Sequence, residues 1–489
     1  MTGVTIATIP SGVPGLDEVL GGGVPQLSFN LVVGGPGCGK TTLGHQIVFT
    51  NATKANRALY ISIIGEPPLK MLRYQQQFSF FDAAKVGEAV RFIHLGEEAR
   101  SGGLGRVLDR IVEEVARTNP SIVVVDSFRS MMHADKEPAA ALDVQDFIQR
   151  LSIHLTTCEA TTFLIGELSH DAEPESPIFT VADGIVALSQ STDRNSVVRK
   201  LQVVKMRGQG QMPGLQTMRI SRDGVSVFPR LLTPDEPVKP SAPAPRLETG
   251  DKTLDEMFGG GVPSGYSVLV CGPSGSGKTI LSNEFILAGA QRGEPGIIAV
   301  FERRPNDYLQ TTPFGTEFQQ LIREKKLEVL YLRPLDLSID ETLLEIRNAA
   351  LRIGAKRIVI DSLSGLELAL APTFRDDFRE SLYRIVGALT GVGATLLSTV
   401  ELDDSYNFLR LSPHGIAFLS DAIVLQRYVE IDSELRRAIA VVKVRGSEHS
   451  KELREYAIEA GRLKVRAPLR NYDGLLTGRP RLRVPGKDP

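Results

Sequence analysis

Two short glycine-rich segments have the residue types and the spacing needed to bind phosphate groups. The first runs from Gly34 to Thr41 as GGPGCGKT, and the second runs from Gly272 to Thr279 as GPSGSGKT. In this GxxxxGK[ST] pattern, the P-loop, glycines allow a tight turn whose backbone N–H groups surround phosphate oxygens, and the next helix adds a favourable dipole. Each segment follows an apolar run typical of a strand. The sequence therefore predicts two nucleoside triphosphate sites.

The lysine and the threonine of each motif have separate predicted roles. Lys40 and Lys278 are expected to neutralise the β- and γ-phosphates, and Thr41 and Thr279 to ligate Mg²⁺. ATP and Mg²⁺ are therefore the predicted cofactors. The expected nucleotide-binding residues are Gly35, Pro36, Gly37, Cys38, Gly39, Lys40, Thr41 and Thr42 in the first motif, and Ser274, Gly275, Ser276, Gly277, Lys278, Thr279 and Ile280 in the second.

Carboxylates at strand ends supply the remaining chemistry. Asp126 closes the apolar run SIVVVD and Asp361 closes RIVID, so both are predicted to hold Mg²⁺. An aspartate that ends an apolar strand is, taken alone, also typical of a helix cap. Hydrolysis needs a further carboxylate that orients a water molecule in line with the γ-phosphate. Glu302 and Glu66 are the candidates, because each follows the apolar run that comes after the P-loop helix of its own half. A surface-loop glutamate is the alternative for either, and more so for Glu66.

A third motif, K-x-R-G, places Lys205 beside Arg207 and Lys443 beside Arg445. Alternate residues of a strand point to the same face, so each pair presents two cations side by side. The pairs could lie on a solvated edge or bind local carboxylates. The repetition favours a role like that of an arginine finger, which reaches the γ-phosphate held by a neighbouring subunit.

The motifs recur at a constant interval. Lys278 lies as far along the chain from Lys40 as Arg445 lies from Arg207, which indicates a duplicated domain. In each half, short apolar runs alternate with amphipathic stretches, as in a parallel sheet covered by helices. We therefore predict an α/β fold of two tandem RecA-like P-loop NTPase domains, each a mostly parallel central sheet flanked by helices.

The predicted domains occupy residues 1–232 and 247–463. The stretch 233–246 contains five prolines, which is typical of an extended linker, and the basic stretch 464–489 predicts a flexible tail. The segments SVVRKLQVVKMR and LRRAIAVVKVR predict a hairpin extension on one edge of each sheet.

Composition argues against several classes of function. A formal net charge of -2 gives no overall electrostatic footprint for nucleic acid. The three cysteines lie far apart without a CxxC pair, so neither a disulfide framework nor a zinc knuckle is indicated. No apolar run approaches about eighteen residues, so we expect no membrane span and a cytoplasmic protein.

Together, these residues resemble the KaiC family, the two-domain RecA-like ATPases that include the cyanobacterial clock protein. Besides the motifs above, the resemblance covers the opening segment Gly15–Gly23 and Glu167 and Glu401 at the next strand ends. It implies a homo-hexameric double ring with ATP at subunit interfaces, where both K-x-R pairs act on the neighbouring subunit's nucleotide. It also implies a KaiB-like or other signalling protein as a candidate partner, and clock-like regulation.

The chain departs from that family at several positions. Where the family usually has two adjacent glutamates, this chain has Gly65–Glu66 and Glu302–Arg303. The first half therefore lacks the first glutamate, usually the hydrolytic one, and hydrolysis is expected mainly in the second half. The Ser-Thr pair that the clock protein autophosphorylates aligns with Ala417 and Phe418, which carry no hydroxyl.

Three functions remain open. The leading hypothesis is a slow KaiC-like ATPase that signals through its conformation. The alternative is a serine/threonine autokinase that phosphorylates a nearby hydroxyl such as Ser412 or Ser420. The third is a RecA-type DNA-binding protein, but Asp171, Glu173 and Glu175 stand in a loop that should be basic if it faced DNA, so nucleic acid is not expected.

Overall fold

The computed structural model describes residues 6–63, 68–127, 138–167, 177–193, 196–230, 244–332, 337–375, 378–402, 418–470, 472–475 and 481–482. The chain divides into two compact units, Met1–Arg230 and Leu231–Pro489. Among the described residues, no helix combines the length and the apolar character that crossing a membrane requires.

The first unit contains a sheet and helices whose bounds are as follows. Its strands are β1 (Thr8–Ile9), β2 (Val24–Pro25), β3 (Phe29–Gly34), β4 (Ala58–Ser62), β5 (Val90–His94), β6 (Ile122–Asp126), β7 (Thr161–Gly166), β8 (Gly184–Asp193), β9 (Ser196–Met206), β10 (Gln216–Ser221) and β11 (Gly224–Phe228). Its helices are α1 (Leu16–Leu20), α2 (Lys40–Asn51), α3 (Pro68–Gln75), α4 (Gly96–Thr118), α5 (Pro138–Thr157) and α6 (Pro177–Val181).

The second unit repeats this order with additional short elements. Its strands are β12 (Arg246–Leu247), β13 (Val262–Pro263), β14 (Ser267–Gly272), β15 (Gly296–Val300), β16 (Leu327–Tyr331), β17 (Arg357–Asp361), β18 (Thr395–Glu401), β19 (Ala422–Ile431), β20 (Glu434–Val444), β21 (Arg454–Glu459), β22 (Arg462–Pro468), β23 (Tyr472–Asp473) and β24 (Arg481–Leu482). Its helices are α7 (Lys252–Met257), α8 (Lys278–Gln291), α9 (Pro305–Thr311), α10 (Gly315–Arg323), α11 (Ile339–Ile353), α12 (Leu363–Ala369), α13 (Pro372–Arg375) and α14 (Phe378–Gly391).

The main sheets of the two units have the same strand order. Within the described residues, the nine strands run β5-β4-β6-β7-β3-β8-β9-β10-β11 in the first unit and β16-β15-β17-β18-β14-β19-β20-β21-β22 in the second. The first six strands of each order are parallel, and the last three continue the sheet antiparallel. The predicted α/β fold with two mostly parallel sheets is confirmed. Strands β9 and β20 form hairpins with β8 and β19, and they begin the antiparallel extension on one side of each sheet.

The central strands are apolar along their length because helices cover both faces of each sheet. On β6, Val123 and Val125 pack into the cluster that contains residues of α4 and α5. Ile122 and Val124 pack into the opposite cluster, which contains residues of α1 and α2. This two-sided packing fixes the P-loop helix against the sheet, so its N-terminus lies at the carboxyl edge, where ligands bind in open α/β folds.

The domain boundaries drawn from the sequence stay a prediction, but one local difference is clear. Most of the expected linker lies outside the described residues. Strand β22 continues to Pro468, past residue 463, where the second domain was expected to end. It pairs with β21, and backbone pairing of this kind outweighs the basic composition that suggested a flexible tail.

Candidate functional site

The glycines that end the two P-loops have closely similar φ angles. Residues 35–39 join β3 to α2, and residues 273–277 join β14 to α8. Gly39 and Gly277 precede the helices with φ angles of 99° and 98°, in the left-handed region that favours glycine. A Cβ atom at Gly39 would lie 2.5 Å from Ile220 Cδ1, and one at Gly277 would lie 2.9 Å from Ile458 Cδ1. The positive φ angle is therefore the constraint that favours glycine at both turns, because the isoleucine Cδ1 atoms can move aside.

The P-loop lysines fold back over their own loops. Lys40 Nζ donates to the carbonyl oxygens of Gly34 and Gly35 over 2.8 and 2.7 Å. Lys278 Nζ makes the matching contacts with Gly272 and Pro273, also over 2.8 and 2.7 Å. Both ammonium groups therefore lie where the loop encloses phosphate, and they can exchange carbonyl partners for phosphate oxygens.

Burial lowers the pKa of Lys278, while the negative charges of Glu401 and Asp361 partly restore it. An anion entering this site would further stabilise the charged form, because opposite charge at close range favours ionisation. The site is therefore suited to a ligand with several negative charges.

The other P-loop residues divide into two groups. Thr41 and Thr42 lie in the first turn of α2, and Thr279 and Ile280 lie in the first turn of α8. Cys38 is only 3% exposed, so its side chain packs into the core and only its backbone can serve a ligand. Ser276 is buried too, and its hydroxyl donates to Gln426 Oε1 over 3.2 Å. The sequence assigned both residues to the nucleotide without separating backbone from side chain.

In the first unit, the strand-ending carboxylate contacts the P-loop threonine directly. Asp126 Oδ2 accepts hydrogen bonds from the Thr41 hydroxyl over 2.9 Å and from the Tyr60 hydroxyl over 2.7 Å. Burial raises the pKa of Asp126, and these two hydrogen bonds and the charge of Lys40 act against that increase. The threonine and the aspartate thus stand together as a donor set of oxygen atoms that suits Mg²⁺.

In the second unit, a cleft of about 480 Å³ brings the predicted residues together. The P-loop contributes Ser274, Gly275, Gly277, Lys278, Thr279 and Ile280 to its lining. Glu302, Asp361 and Glu401 line the same cleft, each from the end of a neighbouring strand. Asp361 Oδ1 accepts a hydrogen bond from the Thr399 hydroxyl over 2.7 Å. Phosphate-binding, metal-binding and water-orienting candidates therefore share one cavity.

Glu302 lies just beyond the end of β15 and is exposed to solvent in that cleft. The Ser362 hydroxyl is 3.4 Å from Glu302 Oε1, and Ser362 follows Asp361 directly. This weak contact leaves the second carboxylate oxygen of Glu302 available to a water molecule. The other glutamate candidate, Glu66, lies outside the described residues.

The first K-x-R pair binds its own chain rather than its own P-loop. Lys205 Nζ donates to the carbonyl oxygen of Phe179 over 3.0 Å. Arg207 Nη1 lies 3.2 Å from Asp183 Oδ1, and its side chain is 58% exposed. A local carboxylate, one of the alternatives open from the sequence, is therefore the partner of this arginine within a single chain.

The second pair repeats these contacts. Lys443 Nζ donates to the carbonyl oxygen of Ser420 over 2.7 Å, and Arg445 Nη1 lies 3.1 Å from Asp421 Oδ1. Burial and the adjacent arginine lower the pKa of each lysine, more than the neighbouring aspartate raises it. Both arginines keep more than half of their surface exposed, so a second subunit could reach them.

A comparison with protein families agrees with this geometry. The family described as "ATPase: KaiC" matches the chain twice, over residues 9–231 and 247–470. The chain belongs to the KaiC ATPase family. The two matched ranges of residues contain the two main sheets described above.

Curated relatives match this chain over nearly its whole length. The circadian clock oscillator protein KaiC of Picosynechococcus sp. is 28% identical over 477 residues, which cover 96% of this chain and 91% of that protein. The KaiC of Thermostichus vulcanus is 28% identical over 490 residues, covering 97% and 92%. The circadian clock protein KaiC3 of Synechocystis sp. is 26% identical over 500 residues, covering 97% and 95%.

Two contacts of these KaiC-type sites were not anticipated from sequence motifs. Tyr60 and Thr399 each donate to a strand-ending aspartate. A tyrosine inside a fully buried strand needs a partner for its hydroxyl group, and that signal could have identified Tyr60. Nothing comparable marks Thr399, because threonine is common in strands.

Proposed function

We propose that this KaiC-family chain binds Mg-ATP at both P-loops and hydrolyses ATP mainly at the second. The observation that carries the proposal is the cleft shared by Lys278, Thr279, Glu302 and Asp361. The first site keeps Lys40, Thr41 and Asp126 but lacks a glutamate at the position of Glu302, so it is proposed to hold nucleotide rather than turn it over rapidly.

Each residue of the second cleft has a separate task in this proposal. Lys278 and the loop N–H groups bind and orient the β- and γ-phosphates. Thr279 and Asp361 would hold Mg²⁺, which when bound neutralises charge on the phosphate oxygens. Glu302 orients a water molecule and accepts its proton as the oxygen attacks the γ-phosphorus. The bond between the γ-phosphorus and the oxygen that bridges the β- and γ-phosphates breaks, so that phosphate and ADP leave, and Glu302 passes the proton to solvent.

We further propose that the active form is a homo-hexameric ring with ATP at the interfaces between subunits. The exposed arginines of the K-x-R pairs support this arrangement, because each would complete a site on the neighbouring subunit. The proposed setting is cytoplasmic, clock-like regulation with a KaiB-like or other signalling protein as partner. The names of the relatives support the clock-like setting. The partner is what the resemblance to the KaiC family implies, and the cytoplasmic location is the expectation drawn from the sequence.

Autophosphorylation is a weaker candidate. Ser412 lies outside the described residues, and Ser420 is only 6% exposed, which does not suit a hydroxyl that must meet a γ-phosphate. We therefore propose hydrolysis rather than transfer to Ser420.

The acidic loop that argued against DNA binding, with Asp171, Glu173 and Glu175, lies outside the described residues.

The proposal is tested with the full-length protein in ATP and Mg²⁺. Phosphate release should persist at a slow steady rate, light scattering should report a hexamer, and mass spectrometry should detect little phosphorylated protein. Substitution Lys278→Ala should remove most of the phosphate release. A chain that stays monomeric at every concentration, or that releases no phosphate, would contradict the proposal.

A further inference from the structure

A second cation lines the cleft of the second unit beside the hydrolytic candidate. Arg303 directly follows Glu302, and both residues line the cleft. The adjacent Arg304 precedes α9 as its N-cap residue and is exposed, and it does not belong to the described lining of the cleft. Two neighbouring arginines therefore differ in whether they face the cavity.

Contacts with α9 hold the Arg303 side chain near the cavity. Arg303 Nη1 donates to the Thr311 hydroxyl over 3.2 Å, and Thr311 also lines the cleft. Burial and the charge of Asp361 raise the pKa of the Tyr308 phenol, while the charge of Arg303 acts against that increase. Tyr308 lines the cleft as well, so the guanidinium charge is felt within the cavity.

The charges that line the cleft indicate that Arg303 matters for binding an anion. Lys278 and Arg303 oppose the carboxylates of Glu302, Asp361 and Glu401. Without Arg303, one ammonium group would face three carboxylates and an incoming triphosphate. A guanidinium group binds phosphate oxygens through paired N–H donors, which a lone lysine cannot do.

The first half of the chain offers an internal comparison. Its corresponding segment, Ile64-Gly65-Glu66-Pro67, contains no basic residue. In the sequence, a basic residue directly after the water-orienting position is therefore found in the second half and not in the corresponding segment of the first. It accompanies Glu302, the glutamate that the first site lacks at this position.

We propose that Arg303 is a phosphate-binding residue that contacts the γ-phosphate of the nucleotide bound by the same chain. It thereby makes the second site prefer a nucleoside triphosphate to a diphosphate. This inference rests on the proposed function, since it assigns a further residue of the same site. Arg303 is distinct from the K-x-R pairs, which would act from the neighbouring subunit.

The test compares binding of ADP and of the non-hydrolysable analogue AMP-PNP, each with Mg²⁺. Full-length protein carrying Lys40→Ala serves as the parent, so that binding reports the second site. Arg303→Ala should weaken AMP-PNP binding about tenfold or more and ADP binding by less than about threefold, because one charge-assisted contact is lost. Arg303→Lys should give an intermediate ratio, and the matched control Arg304→Ala should leave both affinities unchanged.

Equal weakening of both nucleotides by Arg303→Ala, or no change in either, would overturn the inference while leaving the proposed function intact. The same holds if Arg304→Ala shifts the ratio as strongly, because the effect would then reflect surface charge alone. If the parent protein with both arginines binds no AMP-PNP, the proposed function fails together with this inference.

Discussion

Tyr60 donates a hydrogen bond to Asp126, with 2.7 Å between the hydroxyl oxygen and Oδ2. The position of Tyr60 in the second unit is taken by Ile298, which has no hydroxyl group. In the second unit, Thr399 donates to Asp361 instead. Thr399 lies on β18, which pairs with β17 on the side opposite to β15. The first unit has no hydroxyl group at the position equivalent to Thr399. Ile165 lies there, two places before Glu167, as Thr399 lies two places before Glu401. The two sites thus orient equivalent carboxylates from opposite sides.

We expect Tyr60→Phe to weaken magnesium-dependent nucleotide binding at the first site by several-fold. Loss of the hydrogen bond further raises the pKa of Asp126, so a smaller fraction of this group is ionised at a given pH. The Mg²⁺ requirement should therefore increase most at the lower end of the pH range. Nucleotide binding measured against Mg²⁺ and pH, with Lys278→Ala as background, checks this.

The matched substitution in the second unit is Thr399→Val, which keeps the shape and removes the hydroxyl. It should raise the Mg²⁺ requirement of phosphate release and leave the first site unchanged. If neither substitution alters the Mg²⁺ or pH dependence, Tyr60 and Thr399 only pack the sheet and do not position the aspartates.

A buried carboxyl group makes the second unit sensitive to pH. Burial raises the pKa of Glu284 on α8 from 4.5 to about 7, although the backbone N–H of Leu463 and the charges of Arg462 and Lys464 act against this. Asp251 adds a small increase. The folded protein holds this proton more tightly than the unfolded chain. The contribution of Glu284 to stability is therefore fully present below about pH 4.5 and is lost as the pH rises through about 7.

We expect Glu284→Gln to stabilise the second unit at pH 8, by about 3 kcal/mol at most, and to do little near pH 5. The first unit provides the precedent, because Gln46 occupies the same position there. Its amide donates to the Gly12 carbonyl over 2.9 Å and accepts from Val225 N over 2.7 Å. Thermal unfolding at both pH values measures the effect. An equal shift in Tm at both values would rule out titration of Glu284.

Mixed assemblies test whether Arg445 acts on a neighbouring subunit. Lys278→Ala and Arg445→Ala proteins should each release phosphate slowly when pure. Mixed and allowed to reassemble, they should recover activity, because some interfaces combine an intact P-loop with an intact arginine. Arg445→Ala should barely change the melting temperature, since exposed ion pairs contribute about 0–1 kcal/mol. Failure of every mixture to exceed the pure variants would contradict the action of Arg445 on a neighbouring subunit.

Much of the fold could be predicted because the evidence is local and repeated. Apolar runs such as SIVVVD form strands buried on both faces, and the P-loop glycines adopt the backbone angles that their motif requires. The constant interval between corresponding motifs of the two halves predicted one strand order for both, as observed.

The side-chain partners could not be predicted in the same way. The contact between Tyr60 and Asp126 joins residues 66 positions apart, and it depends on the register between β4 and β6. The pairing of Arg207 with Asp183 depends on the register between β8 and β9, which is irregular. No sequence motif predicts that irregularity. Such contacts follow from the assembled sheet rather than from local sequence.

The central claim is that the second site hydrolyses ATP through Glu302, and paired glutamine substitutions test it most directly. Steady-state phosphate release is measured for full-length Glu302→Gln and Glu66→Gln proteins, with nucleotide occupancy determined separately. Glu302→Gln should lower release by about a hundredfold or more with occupancy largely retained, because a general base acts mainly in the transition state. Glu66→Gln should have little effect. Loss of most activity in Glu66→Gln, with activity retained in Glu302→Gln, would contradict the claim and assign hydrolysis to the first site.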